Sequence, residues 1–248
     1  MFRKEYPYLY ETHMHTSEAS KCGQATGAEM VRAAEKAGYS GVIITNHNWY
    51  GNHCIDESLP WEQWVKEFCK GYKNAKEEGE KIGIDVFFGY EAGYQGTEFL
   101  IYGVDEDWLV SHEEIKDADI AKQYSLIKEA GGMVIHAHPF REEWYISEIR
   151  LYPEYVDGIE AVNATHSSPL SKGYDKSIFD ERAIAYAKKY SLPMTAGSDV
   201  HTQIMFGGGV AFKRRIVSIQ DYCRAIMSGE DYLITNGKDW FDKVGNRL

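Results

Sequence analysis

Short apolar runs alternate with amphipathic stretches along the whole chain. Runs at 8–15, 41–46, 86–91, 99–104, 133–138, 158–162, 194–197 and 210–212 are rich in β-branched and aromatic residues and predict strands. Several, such as Val42, Ile43 and Ile44, are apolar at every position, the pattern of strands buried on both faces in a parallel sheet covered by helices. Between them, 28–37, 61–79, 111–130, 180–189 and 218–227 repeat apolar residues at helical spacing. Gly38 after the first stretch and Pro193 after the fourth are stop signals. So many βα units predict an α/β fold, a closed or nearly closed TIM-like barrel. With no repeat or linker, residues 1–248 read as one domain. The polar segment 167–176 reads as an insertion beside a site.

Composition narrows the class. Hydrophobic residues make up 44% and charged residues 26%, as in ordinary globular proteins. A net charge of −11 argues against a nucleic-acid or anionic-membrane binder, and Lys213, Arg214 and Arg215, the only basic triplet, read as a solvated face. No apolar run reaches the roughly 20 residues of a membrane span, and none at the N-terminus looks like a signal peptide. Four scattered cysteines (Cys22, Cys54, Cys69, Cys223) without a CxxC pair fit a reducing compartment, so a cytoplasmic protein is expected.

The chemistry collects where predicted strands end. His13 and His15 close the first, His47 follows the second, Glu91 closes the third, His136 and His138 close the fifth, and Asp199 and His201 follow the seventh. In a parallel barrel these ends share one rim. Residues i and i+2 of a strand face the same side, so each His-x-His or Asp-x-His pair can grip one cation. Any single histidine could merely bond loop backbone, but the whole set at one rim points to metal, since buried unpaired imidazoles and carboxylates are costly.

His13-Met-His15-Thr16, Thr45-Asn46-His47-Asn48, Gly89-Tyr90-Glu91, Ala137-His138-Pro139 and Gly197-Ser198-Asp199-Val200-His201 resemble, in order and spacing, the motifs of the polymerase and histidinol phosphatase (PHP) family of metal-dependent phosphoesterases. The resemblance implies a distorted (β/α)7 barrel with two or three divalent metal ions on its C-terminal rim. Carried over, His13, His15, Glu91 and Asp199 would hold one ion, Glu91 and His138 a second, and His47 and His201 a third. Such ligands suit Zn, Mn or Fe alike. The chain departs from the family pattern at Asn46, often Asp, and at Ser20, often Asp or His, for which Glu18 is a candidate substitute. Glu98 stands where a histidine ligand is common, and either replaces it as a ligand or points away and leaves the second site weaker.

Around the site, Arg141 in His-Pro-Phe-Arg is placed to hold phosphate oxygens, as similar family members do. His166 is expected to contact substrate or donate a proton, or else to be a solvated loop histidine, and His136 is a candidate partner for a ligand. His53 and His112 read as surface residues, and Trp49, Tyr50, Tyr94 and Trp144 as rim aromatics that stack on a substrate or simply pack. There is no GxSxG elbow, phosphate-binding GxxxxGK[ST] or GxGxxG opening a helix, and Gly207-Gly208-Gly209 reads as a flexible rim turn. The expected activity is hydrolysis of a small phosphomonoester by metal-activated water, with Arg141 neutralising phosphoryl charge and Asp199 or His201 relaying a proton. Hydrolysis of an amide or carboxyl ester, and a non-catalytic module whose metals stabilise the barrel, are the alternatives. Nothing in the pattern decides oligomeric state.

Overall fold

A computed structural model describes residues 2–144, 146–167 and 176–248. The predicted insertion at 167–176 therefore lies mostly outside the described residues. One curled sheet runs through the molecule, built from β1 (Tyr8–Met14), β2 (Gly41–Ile44), β3 (Asp85–Tyr94), β4 (Thr97–Tyr102), β5 (Met133–His136), β6 (Gly158–Asn163), β7 (Met194–Gly197), β8 (Gly209–Phe212), β9 (Tyr232–Thr235) and β10 (Trp240–Asp242). Their spatial order is β10-β9-β8-β1-β2-β3-β4-β5-β6-β7. The helices are α1 (Phe2–Glu5), α2 (Gly27–Lys36), α3 (Trp61–Phe68), α4 (Lys70–Ile82), α5 (Glu106–Ser111), α6 (Ile120–Glu129), α7 (Ser177–Tyr190) and α8 (Ile219–Met227).

The eight predicted strands all form, but the sheet is not uniformly parallel. β1, β2 and β3 pair in parallel, as do β5, β6 and β7, whereas β4 is antiparallel to both its neighbours. The cause is local. Gln95 and Gly96, with φ of 49° and 82°, make a two-residue turn between β3 and β4, too short for a crossover helix. At the other edge β8, β9 and β10 are antiparallel, and the last two were not foreseen. The stretch 61–79 divides at Cys69 into α3 and α4, so that Trp61, Trp64, Val65 and Phe68 bury one face and Gly71, Ala75 and Gly79 another. The stretch 111–130 divides into a 3-10 turn (Glu113–Asp117) and α6, the latter started by Asp119, whose side chain accepts the Lys122 N–H. Similarly, Thr26 and Glu29 form a capping box at the head of α2.

Curling brings the chain beyond β7 back onto β1. The Val200 N–H donates to His13 O at 3.1 Å, and the His15 N–H to Val200 O at 3.0 Å. Buried Glu11 fastens the same seam, accepting the N–H of His13 (2.9 Å) and of Ser198 (2.8 Å) on one oxygen. Gly197 is required here because a Cβ would stand 2.5 Å from His13 Cβ. Beneath the seam lies an aromatic core that includes Tyr10, Tyr90, Phe99, Tyr102, Phe212 and Tyr222. Among the described residues, no helix is long and apolar enough to cross a membrane.

Candidate metal centre

The rim at the ends of the parallel strands gathers every predicted ligand. His13 lies in β1 and His15 just beyond it; His47 follows β2 and bridges to Glu91 in β3. Glu98 is the second residue of β4, and because β4 runs backwards its beginning, not its end, reaches the rim. His138 stands two residues past β5, and Asp199 and His201 follow β7. His138 and Asp199 adopt positive φ, 26° and 53°, a backbone region that non-glycine residues enter only under constraint.

Glu91 is the hub. Its Oε1 lies 3.3 Å from His13 Nε2 and 3.2 Å from His138 Nε2, and its Oε2 lies 2.9 Å from His47 Nδ1 and 3.4 Å from His15 Nε2. Asp199 Oδ1 sits 3.4 Å from His13 Nε2, 3.2 Å from His15 Nε2 and 3.5 Å from His201 Nε2. Glu98 is 3.7 Å from both His47 and His138. Yet among the described residues His13 Nε2, His15 Nε2, His47 Nδ1 and Glu91 Oε2 are buried without a hydrogen-bond partner. Atoms this close and this dry, but not aligned for hydrogen bonding, are costly unless a cation satisfies their lone pairs. The donor atoms therefore fit divalent metal, in overlapping groups: His13, His15 and Asp199; His13, Glu91 and His138; His47, Glu91 and Glu98; and His15, Cys22, His47 and His201.

Behind these donors stands a polar shell that the sequence did not announce. Glu160 in β6 meets His13 Nδ1 at 2.9 Å and accepts the His138 N–H (3.1 Å) and the Asn163 side chain (3.0 Å). Its carboxylate leaves His13 Nε2 facing the cluster, as outer partners of metal-binding imidazoles do. A glutamate inside the apolar run 158–162 was the available signal. Ser20 and Asn46, where the chain departs from the family pattern, bind structure instead. Ser20 Oγ donates to Asn46 Oδ1 and accepts the His47 N–H, each at 3.0 Å, and Asn46 Oδ1 accepts the Thr16 N–H at 2.7 Å.

Charge follows this geometry. Burial pushes the Glu91 and Asp199 carboxyls up, but His13 and its neighbours outweigh it and hold both well below the usual range. Burial lowers His13 and His47, and the surrounding carboxylates reverse this, raising both well above an ordinary imidazole. His15, buried and beside His47, falls to about 3. Glu98 is raised by burial and by Glu91, and Glu11 is raised by burial to about 7. For the Cys22 thiol, burial acts upward, but hydrogen bonds with His201 and His47 leave it below its ordinary value.

Several expectations need correction. His136 does not accompany His138: β5 ends at His136, and the positive φ at His138 breaks the alternation. Its ring stacks on Phe99 at 5.0 Å with neither nitrogen hydrogen-bonded, so it supports no ligand. Asp199 and His201 are not strand partners, since β7 stops at Gly197. Glu18 replaces no ligand; it accepts the Gly27 N–H at 3.0 Å and the Asn74 side chain at 3.0 Å. His53 is buried, not on the surface, accepting the Ile55 N–H at 3.2 Å, and His112 is half-buried, its ring 4.3 Å from Trp108. His166 is no solvated loop residue: it is buried, with Nδ1 2.6 Å from Asp180 Oδ1. The glycine turn is pinned rather than loose, because the N–H groups of Gly207 and Gly208 donate to Ser198 Oγ at 3.0 and 2.7 Å. Trp49 packs against Trp61 and Trp64, whereas Trp144 is exposed at the cavity. The basic triplet is neutralised by Glu5, Asp231, Asp221, Glu230 and Asp85.

Arg141 is where it was expected. Its Nη2 lies 2.6 Å from Asp199 Oδ2 and donates to Thr165 Oγ1 at 3.1 Å, while Nε points at His166 Nε2 at 3.4 Å. With Cys22, His47, Glu98, Trp144 and His201 it bounds an open cavity of about 530 Å³.

Known proteins offer the same frame. A two-domain protein from Bacteroides vulgatus, assigned by prediction as containing a PHP-like metal-dependent phosphoesterase, superposes with a TM-score of 0.66 at 17% identity over 92% of this chain; the chain spans 64% of that protein's length. A provisionally assigned metal-dependent phosphoesterase from Bifidobacterium adolescentis gives a TM-score of 0.52 at 17% identity, covering 78% of this chain and 88% of that one. An amidohydrolase from Chromobacterium violaceum, solved with sulfate and no metal, gives 0.52 at 15% identity, covering 77% of this chain and 87% of that one. At such identities the likeness is one of fold. No curated protein matches the chain. A PHP-associated sequence profile matches residues 178–230, and the PHP domain profile matches residues 11–191, from the strand that carries His13 to the end of α7. On that match, over most of its length and most of the rim just described, the chain belongs to the PHP domain family.

Proposed function

We propose that the chain is a metal-dependent phosphoesterase that hydrolyses a small phosphomonoester, as a single cytoplasmic domain built on a distorted (β/α)7 barrel of β1 to β7. One observation carries the reading: the buried, hydrogen-bond-orphaned nitrogens of His13, His15 and His47 converge with the carboxylates of Glu91 and Asp199 at the foot of an open cavity. In this reading His13, His15, Glu91 and Asp199 hold one ion, Glu91, Glu98 and His138 a second, and His47 and His201 a third, with Zn, Mn or Fe suited to the donors. Divalent ions so held supply acidified water and neutralise phosphoryl charge.

The chain's own groups do the rest. The Arg141 guanidinium lies at the cavity wall, where its positive charge would offset that of phosphoryl oxygens. Thr165 and His166 contact that guanidinium, so His166 would act on substrate through the placement of Arg141. Asp199 presents Oδ2 to the same wall, 2.6 Å from Arg141 Nη2, and with His201 forms the pair of proposed proton relays. The cavity's size suits a small ligand.

A panel of phosphomonoesters, assayed with and without chelator and with Zn, Mn or Fe restored, tests this. Chelator-sensitive phosphate release is expected. Hydrolysis of amides or carboxyl esters instead, the reading that the name of the Chromobacterium violaceum neighbour keeps open, would replace it. Bound metal with no turnover in either panel would make the chain a metal-stabilised module.

A further inference from the structure

Cys22 is given to none of the three ions proposed above, yet the fold delivers it to one of the donor groups. It lies in the loop between β1 and α2, where the Lys21 N–H donates to Asn52 O at 2.8 Å and the Gln24 N–H to His201 O at 2.9 Å. The Ser20–His53 bridge ties the same loop across. Both flanks of Cys22 are therefore fastened to the segments that carry His47 and His201. The donor atoms of His15, Cys22, His47 and His201 all lie within 4.8 Å of one another. Among the described residues, His15 Nε2 and His47 Nδ1 are buried without a hydrogen-bond partner, both beside Glu91 Oε2 (3.4 and 2.9 Å).

Sharing among the donor groups makes the thiol decisive. His15 and His47 each belong to two groups, and His15 Nδ1 already faces Ser20 Oγ at 3.3 Å, so its Nε2 serves one ion only. Cys22 and His201 belong to this group alone. Without sulfur, an ion beside His201 would depend on imidazoles that other ions also claim.

We infer that Cys22 is a thiolate ligand of the ion held by His47 and His201, making this one position a sulfur-and-imidazole site that selects zinc over manganese. Three protein ligands leave a coordination position open toward the cavity, which Cys22, His47 and His201 all line. Thiolate favours the softer ion, whereas the neighbouring carboxylate-rich positions do not. The inference rests on the metal-dependent hydrolase reading and deepens it.

The test uses cobalt as a spectroscopic stand-in for zinc on the full chain. After chelation and dialysis, cobalt titration is expected to produce a thiolate-to-cobalt charge-transfer band in the near ultraviolet. Cys22→Ser and Cys22→Asp should both lose the band. Cys22→Asp should keep the full metal count by elemental analysis while shifting preference from zinc toward manganese. Cys54→Ala, a control at an exposed thiol, should retain the band. Cobalt bound without the band, or a band that survives Cys22→Ser, overturns the thiolate site and leaves the hydrolase reading standing. A band with no phosphate release does the reverse. Failure of every variant and the parent to bind metal overturns both.

Discussion

At the end of β1, His13 and His15 hold their Nε2 atoms 3.2 to 3.4 Å from the carboxylates of Glu91 and Asp199, whereas at the end of β5 the ring of His136 packs on Phe99 and only His138 reaches those acids. Both segments read His-x-His. Their different outcomes come from the path of the backbone beyond each strand. After β1 the chain stays extended and bonds to Val200, so His15 keeps the face of His13. After β5 the backbone turns through positive φ at His138, and the two rings part. A motif is thus as good as the backbone that carries it.

The comparison breaks most visibly at His13. Its removal as His13→Ala should lower bound metal and phosphate release by about 100-fold or more, beyond the 10- to 100-fold typical of outer partners. If His136→Phe, measured alongside, cost as much, the distinction between the two ends would be lost. One step out, Glu160→Gln keeps a hydrogen-bonding group near His13 Nδ1 but removes the charge, and should cost about 10- to 100-fold in metal affinity by competition with a chelator. An unchanged affinity would show that Glu160 has no hold on the ligand.

Smaller effects sharpen the other side. Because His136 buries two ring nitrogens without hydrogen bonds, His136→Phe should leave metal content unchanged and shift unfolding stability by less than about 1.5 kcal/mol, toward greater stability. A loss of several kcal/mol in denaturant titration would mean that the ring nitrogens are needed.

His166 shows a third fate, burial with one acidic partner. Burial first, then Arg141, lowers His166 to about 2, and burial holds Asp180 well above the carboxylate range, so the pair keeps a single proton and no net charge. Unfolded, the same two groups bind one proton between about pH 3.9 and 6.5 and none above it. The folded pair thus binds more protons above pH 6.5, and its stability contribution falls there as pH rises. In Asp180→Asn the folded histidine stays neutral, so its contribution is instead lost as pH falls below about 6.5. The stability of the variant relative to the parent should therefore climb steadily with pH, and a flat difference from pH 5 to 8 would contradict the shared proton.

Much of this was legible in the chain. All eight predicted strands form, because apolar runs punctuated by turn residues record burial directly. Most of the predicted ligands reach one rim because they sit at or just past the ends of parallel strands, whereas Glu98 reaches it because β4 runs backwards. What escaped had only a faint local signal. The reversal of β4 turned on two residues at a hairpin, and β9 and β10 lie in a stretch with little periodicity. Glu160 was visible only as an acid in an apolar run, and Cys22 only as an unremarked thiol in a loop.

Sequence alone determined the chemistry on offer, imidazoles and carboxylates at fixed intervals, since side-chain type and spacing are properties of the chain. The tertiary structure decided which of them meet. Whether His136 faces a phenyl ring or a carboxylate, and whether Cys22 stands beside His201, depends on backbone turns and loop-to-loop hydrogen bonds between residues far apart in sequence, and these exist only once the sheet has curled.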